Sequence, residues 1–227
     1  MNLDDYEKKY FPIYKAFAET VRFILEKALL VTENLPRPQS IQCRAKEIES
    51  LRRRLTELGK LDTQTLELDR RDLAGVRLIF YTNNDVDHFL ASPLIRENFE
   101  IEEDSTKVHH PTLENKRVRY RAIHYTVRLR EDRTHLPEYA KFADLRCEIQ
   151  IQTILNHAWS ETSHDPIYKA EMGNGTERKL WKAFSVDLSR LWTSTLYRQA
   201  LKYRKLSKIM NDFFKAKSSS TKTSPTY

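Results

Sequence analysis

Residues 144–165 read DLRCEIQIQTILNHAWSETSHD, and this stretch decides the fold. Apolar and polar residues alternate from Leu145 to Gln152, which predicts a strand with one buried face. After Thr153 the apolar residues take the spacing of a helix. Glu148 lies on the polar face of the predicted strand, and a carboxylate at such a position needs either a partner or a function.

The predicted elements on either side of this stretch fit one mixed sheet flanked by helices. Apolar residues at helical spacing predict a helix over 3–31, and the two prolines of LPRPQ (35–39) end it. The sequence GVRLIFY (75–81) predicts a buried strand. The remaining predicted elements are a helix over 47–59, a short helix over 85–95, strands near 99–109 and 120–130, and helices from 154 to about 216. An α+β or α/β domain with a single sheet accommodates them.

Composition places the chain among globular proteins with a sizeable core. It has 227 residues, of which 40% are hydrophobic and 31% charged. No run of about 18 apolar residues is present, so we expect no membrane-spanning helix. The first residues, MNLDDYEKKYF, lack the apolar core of a signal peptide, so we expect a cytoplasmic protein. Cys43 and Cys147 are the only cysteines, and two free thiols are favoured over a disulfide.

Positive charge is concentrated near the C-terminal end of the sequence. The net charge is +7, and residues 198–227 hold eight Lys or Arg against one acidic residue, which leaves residues 1–197 neutral. This basic arm indicates either a polyanionic partner or a solvated cationic helix face.

Two carboxylates are candidates for a metal site. Asp72 lies three residues before Gly75, at the start of the 75–81 strand, where a turn or cap aspartate is the alternative interpretation. If Asp72 and Glu148 meet across neighbouring strands, their oxygens suit Mg²⁺ and leave room for phosphates. Cations suited to a polyphosphate are present in SIQCRAKEIESLRRRL (40–55), namely Arg44, Lys46, Arg52, Arg53 and Arg54. Carboxylates and cations together predict phosphoryl-type transfer, without a G-x-x-x-x-G-K-[ST] loop.

Two other clusters have both a functional and a structural interpretation. In RVRYRAIHYTVRL (117–129), Tyr120 and His124 share a strand face and could stack on and hydrogen-bond a nucleobase, or form part of an ordinary solvated face. On the predicted helix after 153, His157, Glu161 and His164 share a face. Their spacing is not that of a zinc protease, so we expect a hydrogen-bonded structural cluster around Trp159.

These motifs, in this order, resemble the synthetase domain of the RelA/SpoT family, the enzymes that make (p)ppGpp. The resemblance covers roughly 38–170. It is carried by RAK (44–46), DLAGVRL (72–78), YRAIHYTV (120–127) and CEIQIQTILNHAWSETSHD (147–165). It implies an α+β fold with a mixed five-stranded, nucleotidyltransferase-like sheet. Together with the helical spacing near the N-terminus, the basic charge near the C-terminal end and the polar, low-complexity last residues, this predicts an N-terminal helix packed on the domain (1–34), a catalytic core (35–175), a basic helical extension (176–217) and a disordered tail (218–227).

The resemblance also implies a reaction, in which the β,γ-pyrophosphate of ATP moves to a ribose 3′-hydroxyl and AMP is released. By this resemblance Asp72 and Glu148 hold Mg²⁺ on the ATP phosphates, and Glu148 helps to deprotonate the attacking hydroxyl. The implied ATP-binding residues are Arg44, Lys46, Arg54 and Arg77. On the acceptor side, Tyr120 stacks on the base while His124 and Gln150 contact the acceptor.

The acceptor side departs from the family pattern. Val118-Arg119 stands where the family usually has Asn-Gly, and Gln152 replaces a usual arginine. A basic run lies at the same place, formed by Lys116, Arg117, Arg119 and Arg121. An RNA backbone would use such a run, whereas a small nucleotide would not need it.

The chain is therefore similar to the toxin branch of the small alarmone synthetases, in which some members pyrophosphorylate the 3′ CCA end of tRNA and an antitoxin protein neutralises the enzyme. Three hypotheses remain open. The acceptor is tRNA, or it is a free guanosine or adenosine nucleotide that gives (p)ppGpp or (pp)pApp, or the fold serves only as a non-catalytic RNA-binding or interaction module. The intact carboxylates and the Arg44/Lys46 pair disfavour the third. No oligomeric state is predicted.

Overall fold

The computed structural model describes residues 1–109, 122–161 and 179. Within these residues, six strands form one mixed sheet. They are β1 (Ser40–Ala45), β2 (Ala74–Phe80), β3 (Phe99–Ile101), β4 (Lys107–His109), β5 (Ala122–Leu129) and β6 (Cys147–Thr153). The strand order is β1-β2-β6-β5-β3, and β4 pairs with β5 as well. In the described part β2 and β6 are parallel and the other pairs are antiparallel, so the predicted α+β fold with a mixed sheet is confirmed.

Helices flank the sheet. They are α1 (Leu3–Asp5), α2 (Phe11–Val31), α3 (Ile48–Glu57), α4 (Leu66–Asp69), α5 (Asn83–Leu90), α6 (Leu94–Asn98), α7 (Glu131–Thr134) and α8 (154–161). A π-helical turn, Tyr6–Tyr10, joins α1 to α2, so the helix predicted over 3–31 is helical throughout. No helix in the described ranges combines the length and apolar character that a bilayer crossing needs.

Helix α2 covers the apolar face of the sheet. Its buried residues follow helical spacing, namely Tyr14, Phe17, Ala18, Val21, Ile24, Leu25 and Leu29. They pack against β1 and β2, while Cys147, Ile149 and Ile151 supply the buried positions of β6. Burial of this face leaves the polar positions of the same strands on the opposite face.

The pairing register aligns those polar positions into two rows across β1, β2, β6 and β5. The first row is Arg44, Gly75, Glu148 and Thr126. The second row is Gln42, Arg77, Gln150 and His124, and Lys107 of β4 pairs with His124 at its end. Glu148 thus lies in the polar row that starts with Arg44 on the edge strand β1.

Three of the predicted elements need correction. The sequence predicts no strand before residue 47, yet 40–45 forms edge strand β1. The single helix predicted over 85–95 is wrong, because the chain turns before Pro93 and makes α5 and α6 instead. The strand predicted over 99–109 is β3 and β4, separated by a 3-10 turn at Glu103–Ser105. Because β3 and β4 pair with successive segments of β5, the described sheet has six strands, one more than the five that the resemblance implies.

Two further predictions concern the cysteines and the C-terminal region. Cys43 and Cys147 are free thiols, as predicted. The predicted strand over 120–130 is seen as β5, with 120 and 121 outside the described residues. Apart from residue 179, the predicted basic extension (176–217) and tail (218–227) also lie outside them.

Candidate active site

A cavity of about 320 Å³ opens on the polar face where β1, β2 and β6 lie side by side. Its lining includes most of the polar residues of the two rows, and Asp72 from the turn before β2. The lining residues are Gln42, Cys43, Arg44, Asp72, Gly75, Val76, Arg77, Glu148, Gln150, His157 and Glu161. The structure therefore places Asp72 and Glu148 at one cavity, although 76 positions separate them in the sequence, because β2 and β6 are neighbours in the sheet.

Glu148 is a buried, ionised carboxylate. Gln150 donates a hydrogen bond from its amide nitrogen to Glu148 Oε2 at 2.6 Å, and His124 Nδ1 lies 3.4 Å from Oε1. Burial alone would raise the pKa of Glu148, but the contacts with His124 and Gln150 and the charge of Lys107 outweigh it and lower the pKa to about 2. Glu148 consequently carries its negative charge throughout the physiological pH range.

Asp72 lies between two cations. Lys46 Nζ is 2.8 Å from Oδ2, and Arg70 Nη2 is 2.8 Å from Oδ1 and 2.9 Å from Oδ2. The hydrogen bonds that its carboxylate accepts within the described ranges come from these side chains and not from a backbone N–H, so the turn or cap interpretation of Asp72 finds no support there. The contact with Lys46 brings together two of the residues singled out in the sequence.

Arg77 is held by three side chains. Its Nε donates to the side-chain oxygen Oε1 of Gln150 at 3.1 Å, and its Nη1 donates to Glu161 Oε1 at 2.8 Å and lies 3.0 Å from His157 Nδ1. Burial and the charge of Arg77 lower the pKa of His157, although Glu161 opposes them. His157 is therefore neutral at pH 7, and its Nδ1 accepts the hydrogen bond from Arg77.

The remaining predicted ATP-binding residues differ in position. Arg44 is exposed at the cavity and forms no hydrogen bond or ion pair with another residue of the described ranges. Arg54 does not line the cavity, since it lies on α3, half-exposed and paired with Glu57 at 2.8 Å.

Of the predicted acceptor-binding residues, His124 and Gln150 lie in the second polar row. The others lie outside the described residues, namely Tyr120, Lys116, Arg117, Arg119 and Arg121.

A second cavity, also of about 320 Å³, lies on the other side of the two carboxylates. It shares Asp72 and Glu148 with the first cavity. Its remaining lining residues are Leu68, Asp69, Arg70, Arg71, Asp104, Ser105 and Lys107. Asp72 and Glu148 thus stand between two spaces, each large enough for part of a substrate.

Four residues of the site were not identified as functional from the sequence, namely Arg70, Lys107, His157 and Glu161. His157 and Glu161 bind Arg77 at the cavity, whereas the sequence predicts a structural cluster around Trp159. Arg70 contacts Asp72 from two positions away, and the run RRD was the one signal of it. His164 lies outside the described residues.

The donor set around the carboxylates fits Mg²⁺. Within the described residues, no group of three or more His, Cys, Asp and Glu is arranged to hold a metal ion, so a transition-metal cage has no support there. Two carboxylates beside an open cavity are instead the set that Mg²⁺ takes, because it keeps several waters and binds substrate phosphates.

Comparisons with known proteins agree with this geometry. Residues 43–173 match the family described as "Region found in RelA / SpoT proteins". No curated protein matches the chain. The fold is similar to that of small alarmone synthetase 1 from Bacillus subtilis, with a TM-score of 0.67 and 17% identity over 93% of this chain and 99% of that chain. It is also similar to a GTP pyrophosphokinase family protein from Streptococcus pneumoniae, with a TM-score of 0.62 and 20% identity over 98% of each chain.

The family match spans more than half of the chain and includes Asp72, Arg77 and Glu148. The chain therefore belongs to the RelA/SpoT family and is a pyrophosphokinase with the fold of the small alarmone synthetases.

Proposed function

We propose that this pyrophosphokinase transfers the β,γ-pyrophosphate of ATP to the 3′-hydroxyl of the tRNA CCA end and so inhibits translation, as the toxin of a pair with an antitoxin protein. The observation that carries the proposal is the place of Asp72 and Glu148 between two cavities. Transfer between two substrates requires the donor and the acceptor to approach the same catalytic groups from different sides.

The first cavity suits ATP. Arg44 is exposed at its mouth, Lys46 reaches Asp72 beside it, and Arg77 lies on its floor. Arginine and lysine at a concave site bind phosphate oxygens, and the planar guanidinium of arginine also stacks on a base. Small alarmone synthetase 1 from Bacillus subtilis, which has a similar fold, has been solved bound to AMPCPP. This neighbour supports ATP as the donor.

Asp72 and Glu148 would hold Mg²⁺, which when bound neutralises charge on the phosphates of ATP. The residues of the chain orient the attack. The acceptor's 3′-oxygen forms a bond to the β-phosphorus, the bond between that phosphorus and the α,β-bridging oxygen breaks, and AMP leaves. Glu148 accepts a hydrogen bond from the attacking hydroxyl and takes its proton. Because its pKa is about 2, Glu148 is a weak base, and its main contribution is to orient the hydroxyl.

The second cavity suits the acceptor. Lys107 lines this cavity and is paired with His124 in the strand register of β4 and β5. The ring of His124 in turn contacts Glu148. Gln152 is buried where β6 meets the start of β5, and its amide nitrogen has no hydrogen-bond partner within the described ranges. The basic run 116–121 precedes this point in the sequence, and the arm 198–227 adds further positive charge. The positive charge of the basic run and of the arm favours a nucleic acid acceptor over a small nucleotide.

The alternative acceptor is a free guanosine or adenosine nucleotide. Small alarmone synthetase 1 from Bacillus subtilis has also been solved bound to its product pppGpp, with a TM-score of 0.66 to this chain. A protein with a similar fold thus uses a guanosine nucleotide, and the same two cavities would serve this reaction.

Label transfer separates the two acceptors. The protein is incubated with Mg²⁺ and γ-labelled ATP, and with GDP, GTP, ATP alone or deacylated tRNA. Label on tRNA that disappears when the terminal ribose is oxidised supports the proposal. Label on a free nucleotide alone replaces it with the alternative. If no acceptor is labelled although ATP binds, neither reaction is correct. Asp72→Ala and Glu148→Ala should abolish transfer to any acceptor.

The basic run is tested by a double substitution, Arg117→Glu with Arg119→Glu. We expect transfer to tRNA to fall while affinity for AMPCPP is retained. Lys15→Glu with Lys27→Glu is the matched control, because it makes the same change of charge at exposed positions of α2, which lines neither cavity. Equal loss in both double variants would show that net charge, rather than docking at this run, governs transfer.

A further inference from the structure

Tyr6 connects the N-terminal helices to the backbone beneath the site. It is fully buried within the π-helical turn Tyr6–Tyr10. Its hydroxyl donates a hydrogen bond to the carbonyl oxygen of Lys46 at 2.8 Å and lies 3.4 Å from the carbonyl oxygen of Leu73. Lys46 directly follows β1, and Leu73 directly precedes β2. The Tyr6 hydroxyl therefore lies where β1 ends and β2 begins.

The two strand ends are also joined to each other. The backbone N–H of Lys46 donates to the carbonyl oxygen of Leu73 at 2.9 Å. The side chain of Lys46 then reaches Asp72, the residue before Leu73, at 2.8 Å. The position of the Lys46–Asp72 ion pair consequently depends on the same short backbone segments that Tyr6 contacts.

The contribution of the Tyr6 hydroxyl can be tested separately from the packing of the Tyr6 ring. The Tyr6 ring packs edge-on against the Phe11 ring, with centroids 6.0 Å apart. It is tilted against the Tyr14 ring, with centroids 5.7 Å apart. A phenylalanine would keep these contacts. A buried hydroxyl is unfavourable unless it is hydrogen-bonded. Burial, with a smaller effect of Tyr14, raises the pKa of Tyr6, so the hydroxyl remains a donor.

We propose that Tyr6 is a positioning residue for pyrophosphoryl transfer, which sets the place of Lys46 and Asp72 through their backbone. This inference rests on the proposed function, since it assumes that Lys46 and Asp72 act on ATP. Tyr6 lies outside residues 43–173, the region that matches the family. The N-terminal helical segment is thus part of the catalytic apparatus as well as a cover for the sheet. Helical turns of the π type occur frequently at functional sites.

The test compares Tyr6→Phe with Tyr14→Phe. Tyr14 is the matched control because it is a buried tyrosine of the adjoining helix whose hydroxyl makes no hydrogen bond to another residue of the described ranges. Both variants are assayed well below their thermal midpoints, where each is fully folded. We expect Tyr6→Phe to lower kcat/KM for ATP about tenfold, because small displacements of catalytic groups have large effects. Tyr14→Phe should stay within about twofold of the unsubstituted protein.

A double-mutant cycle on AMPCPP affinity separates positioning from general stability. If Tyr6 acts through Lys46 and Asp72, Tyr6→Phe weakens AMPCPP binding in the unsubstituted protein and has a clearly smaller effect in a Lys46→Ala background, where only the path through Asp72 remains. An effect of equal size in both backgrounds would overturn the inference, as would equal kinetics of Tyr6→Phe and Tyr14→Phe. If Lys46→Ala and Asp72→Ala leave transfer intact, the assignment of the site itself fails, and the role of Tyr6 fails with it.

Discussion

Gln150 donates a hydrogen bond from its side-chain amide to Glu148 Oε2 at 2.6 Å, and the two residues lie two positions apart on the same face of β6. The carbonyl oxygen of the same amide accepts from Arg77 Nε at 3.1 Å. The amide therefore presents its donor to a carboxylate and its acceptor to a guanidinium. This arrangement fixes the orientation of Gln150 and ties the ionised state of Glu148 to the position of Arg77.

Gln150→Glu tests this orientation. The substitution replaces the donor by a second carboxylate, and a like charge at this distance raises the pKa of Glu148. Because Glu148 must be ionised to act, activity should be lost at a higher pH than in the unsubstituted protein. The acidic limb of kcat/KM against pH should move upward by about one unit.

Gln42→Glu is the control for this change. Gln42 lies in the same row, on the far side of Arg77 from Gln150, so the new charge is two strands away from Glu148. Its pH profile should be close to that of the unsubstituted protein. If Gln150→Glu also leaves the limb in place, the amide does not stabilise the ionised form of Glu148.

The pKa of Glu148 also predicts how stability depends on pH. Its folded-state pKa of about 2 is below the ordinary value of 4.5, so the contribution to stability is present above pH 4.5 and is lost as the pH falls toward 2. By pH 3 the loss should be about 2 kcal/mol. Urea unfolding without Mg²⁺, compared with that of Glu148→Gln, measures it. An unchanged difference between the two proteins from pH 6 to pH 3 would contradict the lowered pKa.

The alternation of β6 made the fold predictable, because a strand with one buried face fixes which residues enter the core. Strand β1 was missed although Ile41, Cys43 and Ala45 alternate with polar residues. The run is short, and its arginine and glutamine are exposed at the edge of the sheet. Sequence patterns are weak at such edges, since only one neighbouring strand and one face constrain them.

The two carboxylates were predictable because each occurs in a recognisable motif at a strand. Tyr6 was not, since its partners are backbone carbonyls, one of them 40 positions away, and every residue type has such a carbonyl. The helical spacing of His157 and Glu161 did predict that they share the polar face of a helix. Their partner Arg77 lies 80 and 84 positions away on another element, so only the fold shows the contact.

Arg77→Lys should impair the donor side of the reaction. A lysine has one nitrogen and cannot reach Gln150, His157 and Glu161 together, as the guanidinium does. We expect kcat/KM for ATP to fall about tenfold with a smaller change in thermal midpoint. Arg96→Lys, at an exposed ion pair with Glu103, is the control and should behave like the unsubstituted protein. Normal kinetics for Arg77→Lys would exclude a role of the guanidinium geometry.

Gly75→Ala should separate activity from stability. Gly75 lies between Arg44 and Glu148 in the first polar row and has no side chain to fill the cavity floor. An added Cβ would lie 3.9 Å from the backbone oxygen of Glu148, an ordinary contact, so the fold should accept alanine without strain. The methyl group would nevertheless occupy space beside both residues that act on ATP. We expect an unchanged or slightly raised thermal midpoint and a KM for ATP raised about fivefold.

Gly59→Ala is the control for Gly75→Ala, because it should lower stability and leave the reaction unchanged. Gly59 follows α3 with a φ of 64°, and nothing lies within 4 Å of an added Cβ, so the substitution strains the backbone without touching either cavity. It should destabilise the protein by about 1 kcal/mol and leave the KM for ATP unchanged. We therefore expect Gly75→Ala to change the KM for ATP without loss of stability, and Gly59→Ala to lower stability without a change in this KM. If Gly75→Ala leaves the KM for ATP unchanged, ATP does not approach the floor between Arg44 and Glu148, and the first cavity is not the donor site.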